Sequence, residues 1–130
     1  VTPVAINNYV RMKIMPAPVK KRYSRKHVAY LIMICTLKQT LSIAYISKLV
    51  PADLGDEDMK RLYDGYVQKH KEAELYFIEQ LGARAGNVFD GSSMSATAVF
   101  EMLTQLTAFA SFAKNLAEKV IELPQEGEDK

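Results

Sequence analysis

An all-α fold is what this sequence predicts, and three observations carry the prediction. Hydroxyl residues stand just before helical patterns at Thr2, Ser24 and Ser42, the position where a side-chain oxygen satisfies orphan helix N–H groups. Prolines 16, 18, 51 and 124 fall between the periodic segments and never inside them. The last third of the chain repeats apolar residues at alternating spacings of three and four, a heptad pattern. With 130 residues, 48% of them apolar and 25% charged, the chain has the composition of an ordinary folded domain. The expected architecture is a small basic head followed by long antiparallel C-terminal helices, divided at 52/53.

Thr2-Pro3 opens the first helix, expected over about 3–13, because proline at the first helical position gives up an N–H that would have no partner anyway. Val4, Ile6, Val10 and Ile14 are its expected buried side. Pro16-Ala17-Pro18 ends it and forces an extended passage. Residues 19–23, short and basic, suit a tight loop or a tiny two-stranded wing. Ser24 caps a helix to about 39 whose expected core residues are Val28, Leu31, Ile32, Cys35 and Leu37. Ser42 caps a short helix over 43–49, which Pro51 stops. Asp56, Glu57 and Asp58 favour the N-terminus of a helix running to about 83, through the macrodipole. Residues 86–93 read as a loop.

The final helix, expected over about 94–123, carries the seam Val99, Met102, Leu106, Phe109, Ala113, Leu116, Val120 and Leu123. A second apolar stripe, Phe100, Leu103, Ala110, Ala117 and Ile121, lies beside it. A helix apolar over so wide an arc is covered on two sides. The preceding helix folded back supplies one cover. A second subunit is the simplest supply of the other, so Val99, Met102, Leu106, Phe109, Ala113, Leu116 and Val120 are expected dimerisation residues; the alternative is packing against the head.

Charge is segregated along the chain. The first 52 residues hold nine Lys or Arg and no Asp or Glu, a net +9, whereas the remainder carries −7. Such a split suits a protein that presses one surface against a polyanion. On the first helix, Asn7, Asn8 and Arg11 offer amide partners for adenine edges and a cation for guanine or phosphate. Thr2 exposes a hydroxyl and free backbone N–H groups of the kind that contact phosphate. Lys20, Lys21, Arg22, Arg25 and Lys26 make a compact cationic patch. Tyr9 and Tyr23 each offer a phenol to phosphate, the alternative being a ring packed in a small core.

In order and spacing, the 1–50 segment resembles the DNA-binding head of the MerR family of bacterial regulators. The residues carrying the likeness are Tyr9 at the recognition-helix end, Ile14-Met15-Pro16, Lys21-Arg22-Tyr23-Ser24, and Leu41-Ser42-Ile43 with Ile46. The chain looks closer still to small uncharacterised bacterial proteins that share this head. The resemblance implies a truncated winged helix-turn-helix head over 1–52 and a helical hairpin over 53–130 for dimerisation or effector binding. It further implies a transcriptional regulator with helix 2–13 in the major groove of double-stranded DNA and wing 19–23 on the backbone. Two departures stand out: the family's preceding helix falls before Val1, and Asn7 and Asn8 replace its usual charged positions. A different class of function is a protein-interaction module that keeps the winged head and binds an acidic partner protein, or a small-molecule ligand, through the C-terminal helices.

Catalysis is not expected. His27 and His70 lack Ser, Cys or Asp partners at triad spacing, and no metal or cofactor motif is present. Gly91-Ser92-Ser93 lacks the flanks of a nucleophile elbow. The lone Cys35 closes no intrachain disulfide. No signal peptide or membrane-spanning run is apparent, so a cytoplasmic location without membrane partners is expected.

Overall fold

The computed structural model describes residues 1–89, 91 and 93–124. It contains helices α1 (Pro3–Arg11), α2 (Arg25–Leu37), α3 (Ile43–Leu49), α4 (Asp56–Phe89) and α5 (Ala96–Glu122). No strand occurs among the described residues; Val19 and Arg22 form one isolated antiparallel bridge. The all-α expectation therefore holds. No helix of the described residues is long and apolar enough to cross a membrane.

Two compact units divide the chain, one comprising residues 1–64 with the end of α5 from Lys114, the other 65–113. The division falls inside α4, because the first turns of that helix pack into the head: Met59 is buried there. The core of this first unit is completed by Tyr9, Ile14, Met15, Tyr30, Met33, Ile34, Leu41, Ile46 and Val50. In the second unit Leu81 is buried, while α5 has no buried residue at all.

Thr2 and Ser42 cap their helices as expected. Thr2 Oγ1 accepts from Ala5 N–H at 3.1 Å, and Ser42 Oγ from Tyr45 N–H at 3.5 Å. Ser95 Oγ accepts from Ala98 N–H at 3.1 Å and starts α5. The end of α1 is a Schellman closure: Lys13 N–H donates to Val10 O and Ile14 N–H to Tyr9 O, with Lys13 at φ 60°. That reversal drops Ile14 and Met15 into the core.

Two helices bury a different face from the expected one. In α1, Tyr9 is the buried residue, Ile6 and Val10 are half-buried, and Val4 is 68% exposed. In α2 the core face is His27, Tyr30, Met33 and Ile34, whereas Val28 and Ile32 are exposed and Leu31, Cys35 and Leu37 half-buried. The reason is chemical. Residues 28–35 are apolar nearly all round, so periodicity does not choose a face; the two residues with polar handles find partners inside. Tyr30 donates its hydroxyl to Pro51 O at 2.5 Å, and burial raises its pKa above the ordinary tyrosine value.

α4 also overruns its expected end. Residues 84–89, expected to leave the helix, stay in it, since no proline interrupts them and a helical glycine costs only about 1 kcal/mol relative to alanine. Of the expected loop, Gly91 takes a left-handed φ of 76°; Asp90 and Ser92 lie outside the described residues.

Candidate nucleic-acid interface

The wing is a four-residue hairpin. Val19 N–H donates to Arg22 O at 3.0 Å and Arg22 N–H returns to Val19 O at 2.9 Å. The two residues at its tip, Lys20 and Lys21, both hold positive φ, 52° and 63°. Left-handed backbone at both central positions is the pattern of a type I′ turn, for which Asn-Gly is the favoured pair. An L residue with a full side chain is strained there by roughly 1–2 kcal/mol. All three positive-φ residues other than glycine among the described residues are lysines of the head: Lys13, Lys20 and Lys21.

This gives a direct test. Changing Lys20-Lys21 to Asn-Gly is expected to stabilise the head by about 1–2 kcal/mol in urea unfolding, by relieving the turn.

Behind the wing stands His27, 2% exposed. Its Nδ1 lies 2.9 Å from Ser24 N, a group that only donates, and its Nε2 lies 2.9 Å from Ala17 O, a group that only accepts. The neutral ring with its proton on Nε2 satisfies both. Ser24 Oγ sits 3.0 Å from the same Nδ1, and the Tyr23 ring meets the imidazole edge-on at 5.3 Å between centroids. One buried side chain thus ties the start of α2 to the proline passage, across the two ends of the wing.

On α1, Val4, Asn7, Asn8 and Arg11 fall at helical spacings of three and four, which places them along one side. Asn7 and Arg11 are exposed. Arg11 Nη2 donates to the Asn8 side-chain oxygen, three residues earlier on the helix. The Thr2 hydroxyl is engaged as the cap, leaving the first-turn N–H groups open.

Tyr9 departs from its expected place. Its ring is in the core, 5% exposed, and its hydroxyl accepts from Lys38 Nζ at 3.0 Å. The ammonium also lies 5.4 Å from the ring centroid, and the Tyr9 hydrogen bond raises the Lys38 pKa above its ordinary value. Tyr9 therefore fixes α1 against the α2 end and leaves the surface. Tyr23, by contrast, stays about half exposed beside the wing.

The cations divide into two groups. Lys26 pairs with Asp56 at 3.5 Å, and the other ion pairs of the described residues lie on α4 and α5. Arg11, Lys13, Lys20, Lys21, Arg22 and Arg25 meet no carboxylate among the described residues. Neither Lys13 nor the support His27 gives the wing is marked in the sequence: a left-handed φ leaves no trace in composition, and the His27 partners are backbone atoms. No group of His, Cys, Asp and Glu able to hold a metal occurs among the described residues.

Compared with known proteins, residues 1–66 match a family described as a domain of unknown function (DUF1836). No curated protein and no solved structure matches the chain.

Proposed function

This chain belongs to the DUF1836 family, a domain of unknown function, and from its residues we propose that it is a DNA-binding transcriptional regulator with a MerR-like winged helix-turn-helix head. α1 enters the major groove of double-stranded DNA, where Asn7 and Arg11 reach base edges. Lys20, Lys21 and Arg22 straddle the neighbouring backbone, with Thr2, Tyr23 and Arg25 as further phosphate partners. The observation that carries this reading is the set of head cations left without carboxylate partners, two of them held in a strained turn at the wing tip. Idle surface charge does not need left-handed lysines.

A second copy covers α5 and pairs two heads over a two-fold site. Every seam residue of α5 is exposed or half-buried in the single chain, and a stripe of that length is uncommon on a monomer's surface.

The test is a fluorescence titration with random duplex at several salt concentrations. Each phosphate contact contributes about 0.9 to the slope of log affinity against log salt, so changing Lys20, Lys21 and Arg22 together to Ala is expected to lower the slope by about 3. An unchanged slope removes the wing from the proposal. An acidic protein partner is the competing reading; failure of the unaltered protein to bind duplex at low salt would favour it.

A further inference from the structure

The turn of α2 that buries His27 and Tyr30 has a consequence on its opposite side. There Val28 is 52% and Ile32 41% exposed. With Ala29 and the first turns of α4, they border a groove of about 820 Å³ that contains Met59, itself buried. Arg25, Lys26, Lys60 and Asp56 also line it, three cations against one carboxylate. Lys26 is paired with Asp56 at 3.5 Å and Lys60 with Asp64 at 3.3 Å. Arg25 has no ion-pair partner among the described residues. All of these residues belong to the first unit.

We propose that this groove is a binding site for a small organic acid, its apolar body on Val28 and Ile32 and its carboxylate on Arg25. The volume lies within the range of small-ligand sites, about 300–1,000 Å³. An apolar lining with one unpaired guanidinium selects an amphipathic anion, since Arg takes a carboxylate through two parallel hydrogen bonds. The site is distinct from the apolar stripe of α5. Tyr23 and Arg25 serve both the groove and the wing side of the head, so a bound carboxylate competes with DNA phosphate for Arg25. This last consequence rests on the DNA-binding reading; occupancy of the groove does not.

The probes are 4-phenylbutyrate and the uncharged 4-phenylbutanol, titrated into ¹⁵N-labelled full chain without DNA and followed by amide chemical shifts. Saturable shifts confined to residues 23–32 and 56–63 are expected, with the acid bound about fivefold tighter than the alcohol, the size of one exposed charge contact. R25Q is expected to abolish that preference and leave the alcohol's affinity unchanged, and I32Q to weaken both probes about fivefold by removing apolar contact. Shifts that do not saturate, that spread along α5, or that are equal for acid and alcohol overturn the proposal. Concentration-dependent broadening of the same residues without probe also overturns it, because a second copy then fills the groove. If the acid binds as described and duplex affinity is unchanged, only the sharing of Arg25 with phosphate is lost.

Discussion

Replacing His27 by Ala is expected to destabilise the head by about 3 kcal/mol. Three losses combine: the buried ring leaves a cavity, and the hydrogen bonds to Ser24 N–H and Ala17 C=O, on residues that are themselves exposed, are broken. Large-to-small core changes cost about 2–5 kcal/mol, and the two backbone groups, standing on exposed residues, add little because water can replace the ring. His27→Gln separates these effects. Glutamine at the third helical position restores the bond to the N-cap N–H and is too short and too differently shaped to hold Ala17 as well, so about half the loss is expected. Urea unfolding at neutral pH measures both. A cost below about 1 kcal/mol for the Ala variant would mean that the wing does not depend on this ring. Because Tyr23 rests edge-on against the imidazole, the proposed DNA binding further requires the Ala variant to lose duplex affinity more steeply than stability alone explains.

The second large effect concerns α5. Changing Phe109 and Leu116 together to Glu is expected to weaken self-association at least about a thousandfold, some 4 kcal/mol. The two side chains are one heptad apart, and in the single chain they are 50% and 66% exposed. They therefore contribute little to the fold of one copy, and far-ultraviolet circular dichroism should stay unchanged. In a pair, each apolar side chain removed from water contributes about 1.5–3 kcal/mol, and the variant would put four carboxylates into the apolar seam. Sedimentation equilibrium reads the outcome. An unaltered protein that is monomeric at micromolar concentration, or a variant that still pairs, would remove the seam as an interface. With pairing lost, affinity for a two-fold duplex site should fall while affinity for a half-site stays, which separates the dimer from the head.

Much of the architecture was legible at the level of local chemistry. Thr2, Ser42 and the acidic start of α4 mark helix beginnings because a cap needs only its own neighbours. Pro51 ends α3 region by geometry alone, and the pattern of 99–123 spans a real helix. The wing was legible as a short basic turn, and the lysines at its tip are those named from sequence. The faces were not. Val28 and Ile32 read as core because they are apolar, but so are their neighbours Met33 and Ile34, and which of them is buried depends on where His27 and Tyr30 find acceptors. Those acceptors, Ala17 O and Pro51 O, are backbone carbonyls 10 and 21 residues away, carrying no signature in the side-chain sequence. Tyr9 is the same case: a phenol fit for phosphate is taken by Lys38, 29 residues on.

By itself, then, the order of residues determined the helices, their caps, the separation of charge between the two parts of the chain and the apolar stripe of α5, since each depends on neighbours within a turn or two. Tertiary packing alone decided which side of α2 is core, that Tyr9 is withdrawn while Arg11 is held outward, that the wing lysines are left-handed, and that a groove opens beside Arg25. Burial and hydrogen-bond satisfaction are settled between segments distant in the chain, and a spacing pattern does not encode that pairing.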